Sequence, residues 1–233
     1  MKMKNMLIGG MSLALVACIS IGGTLAYLSD NTGTVQNKFQ MVTNGIVLNL
    51  QETATPGTGY DVYVKDADGN AQGEKLTKAT TLNADTAGEN VGFVYKEIQP
   101  GATLAKDVKL SIGKQNEDTV SSWVFACVEN ANGAALNVTV DGVWKKVANQ
   151  DNKALYLYQG TEASAGVENE KYIPKFNGVK PLTSLFTTVG VPATTEQSAE
   201  FTDITVKGYA EQVDNNTYAG ALANAKNNFG FKE

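Results

Sequence analysis

Four sets of side chains in this sequence have types and spacings that could do chemistry. Cys127 is a thiol within "SSWVFACVEN". Glu117 with Asp118, and Glu168 with Glu170, are paired carboxylates. Asp66, Asp68 and Asn70 alternate through "DADGNAQGE", and Trp123, Trp144, Tyr156 and Tyr158 are aromatics spread over three strand-like runs. The corresponding chemistries are thiolate attack, acid–base catalysis, calcium binding and stacking on a sugar. Each set also has a plainer use. Apolar residues crowd both sides of Cys127, which fits a buried, inert thiol. The acidic loop has Ala71 where a calcium loop needs glycine and Thr77 where it needs glutamate, so a hairpin turn with solvated carboxylates is the expectation. With 24 acidic residues in the chain, adjacent pairs arise without any catalytic role. Alternation puts Tyr156 and Tyr158 on one strand face, where core packing is expected.

Composition narrows the choice further. The 233 residues carry a net charge of −5, the positive charges are all lysine, and there is neither arginine nor histidine. Without histidine there can be no Ser-His-Asp triad, Cys-His pair or HExxH zinc site. An acidic chain without arginine is also a poor match for nucleic acid. No enzyme activity, cofactor or metal is expected.

The elements that would position any site read as mainly β. "GIVLNLQE" alternates Ile46, Leu48 and Leu50, and "DVKLSIG" alternates Val108, Leu110 and Ile112. "VSSWVFACV" is apolar on both faces, as in a central strand. "LNVTVDGVWKKV" predicts two strands joined at Asp141-Gly142 in a two-residue hairpin, and "ALYLYQ" and "FTDITVKGYAEQ" add further strands. The expected fold is an antiparallel β-sandwich or jelly roll with one or two short helices. One helix begins at a cap on Asn216 and runs through Ala225, and a second lies near "KPLTSLFTTV".

The N-terminus has an export pattern: Lys2 and Lys4, an uncharged run from Asn5 to Ser29, and a small-residue junction at Thr24-Leu25-Ala26. Cleavage after Ala26 would make Tyr27 the first residue. That removes two lysines and no acidic residue, taking the net charge from −5 to −7. An uncleaved anchor is a second possibility. A third is a lipoprotein, because "LVAC" ending at Cys18 resembles a lipobox, although the residues after Cys18 stay apolar.

Gly22, Gly23, Thr24, Ala26, Tyr27, Ser29 and Asp30, then Asn37 and Phe39, then the strand from Gly45 to Leu50, resemble the N-terminus of the TasA/camelysin (CalY) family. Leu25 and Leu28 replace aromatics frequent in that pattern. "KEIQPGATLAKDVKLSI", "LTSLFTTVGVP" and "ITVKGYAEQVDNNTYAGALANA" are similar to later parts of the family, whereas residues 51–92 do not align with it. The resemblance implies a signal peptide over 1–26, removed by a SipW-type peptidase, and one β-sandwich domain over 27–233. It also implies a secreted, Gram-positive matrix or cell-surface fibre subunit, with itself and accessory matrix proteins as partners and the membrane met only as precursor. Camelysin relatives raise a metalloprotease as an alternative, for which no recognisable ligand spacing exists here.

Residues 27–42 are expected to be an extended assembly segment carrying Tyr27, Leu28, Val35, Phe39 and Met41. The last three share one parity and would line one face of a donated strand. The competing expectation is a binding module for a glycan or envelope component, tethered by lipid on Cys18. Mass spectrometry of the exported protein's N-terminus should find a free Tyr27; a diacylglyceryl Cys18 would instead support the tethered module.

Overall fold

The inner core is built by strands whose alternate residues are aliphatic. In the computed structural model, which describes residues 29–32, 46–66, 70–83, 92–130, 136–195 and 203–232, these strands form three antiparallel sheets. In chain order the strands are β1 (Ser29–Thr32), β2 (Leu48–Thr55), β3 (Asp61–Lys65), β4 (Ala71–Gln72), β5 (Thr80–Asn83), β6 (Phe93–Lys96) and β7 (Thr103–Asp118). They continue with β8 (Ser122–Glu129), β9 (Asn137–Val138), β10 (Trp144–Gln150), β11 (Lys153–Tyr158), β12 (Asn177–Pro181), β13 (Phe186–Gly190) and β14 (Thr205–Gln212). Helix α1 (Tyr218–Asn228) follows the last strand.

Two sheets face each other. One has the order β1-β14-β8-β11-β10; the other has the order β5-β2-β7-β13-β9, with β12 also paired to β7. Leu48 and Leu50 of β2 and Val108, Leu110 and Ile112 of β7 pack against Val124, Ala126 and Val128 of β8, and against Trp144, Tyr156 and Tyr158. The alternation read in "GIVLNLQE" and "DVKLSIG" therefore marks the inner face. The third sheet, β4-β3-β6, adds Val62 and Phe93 to the same core. It is formed by short strands within residues 61–96, most of which lie in the stretch 51–92 that does not align with the resembled family.

β8 is central and buried on both faces, as its two-sided apolar run predicts. Its outer face, with Trp123, Phe125 and Cys127, forms a second core with Leu155, Leu157, Tyr209 and helix α1. The helix approaches through Ala221 and Ala225, and Phe229 closes its end. Its N-cap is Thr217, whose hydroxyl accepts from the Gly220 N–H at 3.1 Å. The expected cap, Asn216, sits one residue earlier and accepts the Thr217 N–H. At the other end the Lys153 ammonium donates to the Phe229 carbonyl at 2.8 Å, supplying a partner for a helix-terminal acceptor.

Two local expectations fail. Asp141-Gly142 does not join paired strands, because β9 pairs with β13 while β10 pairs with β11 in the other sheet. The dipeptide still turns: the Asp141 carboxylate accepts the Val143 N–H at 2.9 Å, and its carbonyl accepts the Trp144 N–H. The turn carries the chain between the two sheets. The segment "KPLTSLFTTV" is not helical; it holds the end of β12 and most of β13. Leu182, Leu185, Phe186 and Val189 are all buried, so their helix-like spacing comes from a loop and a strand sharing one core.

Phe229→Ala should lower unfolding stability by about 3–5 kcal/mol by opening the outer core under α1. Urea denaturation checks this, and a loss below about 1 kcal/mol would mean the helix contributes little to the fold.

Candidate assembly interface

The edge of the five-stranded sheet carries the feature closest to the expected cleavage point. β1 starts at Ser29, three residues after Ala26, and pairs antiparallel with β14 in the register Ser29 with Glu211, Asp30 with Ala210, Asn31 with Tyr209 and Thr32 with Gly208. On its other side β14 pairs along its whole length with β8, from Thr205 opposite Glu129 to Gln212 opposite Ser122. β1 therefore covers the edge of a fully supported strand. The sequence-expected site residues Ala26, Tyr27, Leu28, Val35, Phe39, Met41 and Cys18 lie outside the described residues.

The edge holds a buried carboxylate that periodicity does not reveal. Glu211, opposite Ser29, is only 3% exposed. It accepts hydrogen bonds from the Tyr209 hydroxyl, from Asn216 Nδ2 at 3.1 Å and from Asn224 Nδ2 at 3.4 Å. Asn224 is in α1, and Asn216 immediately precedes the Thr217 cap, so this side chain ties the strand edge to the start of the helix. Burial raises its pKa above the usual carboxylate value, and the three donors work against the rise. Lys207, Tyr209 and Glu211 alternate along one face of β14, and the helical end of the chain meets that face through Phe229 on Tyr209 and Asn224 on Glu211.

At the opposite edge, β10 pairs only with β11 among the described residues. It exposes Lys145 and Lys146, a common way of discouraging edge-to-edge pairing. A cleft of about 490 Å³ opens beside it, where Val128, Trp144, Lys146 and Tyr156 meet Val138 and Val140. The Lys146 ammonium lies 5.8 Å from the centre of the Tyr156 ring.

The other candidate groups have structural surroundings. Trp123 faces the outer core, while Trp144, Tyr156 and Tyr158 face the inner one, so the four do not form one surface. The Trp144 N–H donates to the Thr183 carbonyl, and its ring lies 4.9 Å from that of Tyr158. Asp66 closes the β3–β4 turn through Asn70, accepting its N–H at 2.7 Å on the side chain; Asp68 lies outside the described residues. Glu117 pairs with Lys114. The Asp118 carboxyl is held below its usual pKa by a hydrogen bond from Asn177 and by Lys175. Among the described residues, no group of three or more Cys, Asp or Glu side chains is arranged to hold a metal ion. Cys127 is fully buried, and burial, with the Glu129 charge adding to it, pushes its thiol up to about 12. At neutral pH it is not a thiolate nucleophile.

The raised value of Glu211 gives a pH prediction. A carboxyl whose value rises on folding holds its proton more tightly in the fold than in the unfolded chain. Its stabilising contribution is complete below the ordinary value of 4.5 and is lost as pH climbs through the raised one. Glu211→Gln removes that titration. Wild-type stability measured against this variant should therefore fall as pH rises above about 4.5, through the raised value. Urea midpoints that stay in parallel would show that Glu211 is not desolvated. Compared with known proteins, the chain matches no family model, no curated protein and no solved structure.

Proposed function

We propose that this chain is a secreted structural protein whose subunits join into extracellular fibres by exchanging their N-terminal strands after residues 1–26 are removed. The observation that carries the proposal is the β1–β14 pairing. A four-residue strand beginning just after the expected cut lies on a sheet edge, separated from β2 by residues 33–47. The same pairing can form within one subunit or between two, because the register and the partner strand are unchanged by exchange.

Chain length permits the exchange. The 13 residues 33–45 can reach roughly 45 Å when extended. A domain of this size is roughly 40 Å across. Leaving its own subunit exposes one side of β14, an edge ready to accept a strand. Donation in one direction around a non-closing operation gives a filament. The uncleaved segment would be tethered at the membrane, so processing would gate assembly. Val35, Phe39 and Met41 would add side-chain contacts beyond the four paired residues. No catalytic role is part of this proposal.

Two linked measurements test it. A chain beginning at Tyr27 should form filaments visible by electron microscopy, and a chain lacking 27–42 should not. Filaments formed equally by both would end the proposal. In the longer chain, Asp30→Cys with Ala210→Cys places two thiols at paired positions. Assembly followed by oxidation should give a ladder of covalent oligomers on a non-reducing gel; filaments with only intrachain bonds would show that β1 is not exchanged.

A further inference from the structure

The inner face of β2 runs Leu48, Leu50, Glu52 and Ala54, so one carboxylate interrupts an apolar row. Glu52 lies opposite Val108 of β7, and Lys106, two residues along, lies opposite Ala54. The two long side chains are diagonal cross-strand neighbours, and their charged ends are in direct contact. Only 5% of the Glu52 side chain and 12% of the Lys106 side chain remain exposed. Every other ion pair among the described residues keeps at least one partner more than a quarter exposed.

Their surroundings are aromatic. Tyr60 and Tyr95 lie 5.8 Å apart, and the Lys106 ammonium is 5.9 Å from the Tyr95 ring centre. The hydroxyls are anchored on the β7 backbone beside the lysine: Ala105 N–H donates to Tyr60 at 3.0 Å, and Tyr95 donates to the Ala105 carbonyl at 3.2 Å. Burial first, and the nearby Glu52 charge second, raise the Tyr95 pKa and keep it a neutral phenol. Two charges in such a place are costly to desolvate, and a neutral bond between them would remove that cost.

We propose that Glu52 and Lys106 condense in the folded protein into an isopeptide bond, a covalent cross-link between β2 and β7. The proton of the ion pair passes from Lys106 Nζ to Glu52, leaving a neutral amine and a carboxylic acid. The Nζ lone pair attacks the Glu52 side-chain carbonyl carbon and forms the new C–N bond. The C–OH bond then breaks, and the hydroxyl leaves as water with a proton shed by the nitrogen. Neither oxidant nor cofactor enters the balance. The fold supplies the drive: reacting groups held in contact reach effective molarities of about 10⁵–10⁸ M. The product carries no charge, and the site is sheltered from the water that would reverse the step. The bond would close residues 53–105, including β3 to β6, into a covalent loop. Under the fibre proposal above, tension entering through β1 and β2 would stop at residue 52, but the bond itself does not depend on that proposal.

Intact-mass spectrometry of the folded, processed protein should give a value about 18 Da below that of its sequence, one water lost. Proteolysis should release a branched peptide joining the segments of Glu52 and Lys106. Lys106→Arg, which keeps the charge but offers no amine lone pair to be acylated, should restore the full mass. Glu52→Gln, losing ammonia instead of water, should give the same final mass as the wild type. A folded wild-type protein at full sequence mass, without the branched peptide, overturns the proposal and leaves a buried ion pair. Filament formation does not enter the measurement, so the two proposals fail separately.

Discussion

β8 buries every side chain from Ser122 to Val128, and a strand without a solvated face has to be covered twice. Most of the architecture follows from that requirement. The inner face is covered by β2, β7 and β13 of the opposing sheet, whose aliphatic residues interdigitate with Val124, Ala126 and Val128. The outer face, carrying Trp123, Phe125 and Cys127, is covered by one helix of eleven residues. That helix can come close because its contact positions are Ala221 and Ala225. Large apolar rings on the sheet are matched by small residues on the helix, an arrangement that fills space without strain.

The flanking strands inherit the same constraint. β11 is buried at five of its six positions, and β14 at five of its eight. Polar side chains on these strands are consequently enclosed and need partners. Glu129 at the end of β8 receives Lys207 at 2.8 Å and Lys153 at 3.6 Å, while Lys153 also reaches the Phe229 carbonyl. Glu211 is provided for by Tyr209, Asn216 and Asn224. Both arrangements bind the helix or its approach to the sheet. The outer layer is thus fixed by polar contacts at both ends and by apolar packing between them.

How far the fold could be read from sequence depended on how local the cause was. Alternation exposed β2, β7, β8, β11 and β14 because one-sided or two-sided burial imposes a period on neighbouring residues. Sheet membership is not local. Asp141-Gly142 has hairpin chemistry, yet Val138 and Trp144 enter the same core from opposite sheets. Leu182, Leu185, Phe186 and Val189 imitate helical spacing because a shared core selects apolar residues whatever the backbone does. Residues 51–92 hid three of the shortest strands, two to five residues each, which are too brief to show a period. The small-residue pattern at Thr24-Leu25-Ala26, from which a junction is expected, was legible because it is local. The partner of the following strand was not, since nothing in "YLSDNT" specifies "KGYAEQ".

Ser29 and Glu211 are 182 positions apart, so the first strand of the fold rests on the last. A chain made and delivered from its N-terminus shows that first strand long before its own partner exists. At about 5–20 residues per second, the interval is roughly 10–40 s. Under the exchange proposed above, a finished neighbour with a vacant β14 edge would meet no intramolecular rival during that time. Contacts between distant parts of a chain are also the slowest to close once synthesis ends. Under that same proposal, self-closure and capture by a neighbour would be a race, with an outcome set by how crowded the surroundings are when the end of the chain arrives.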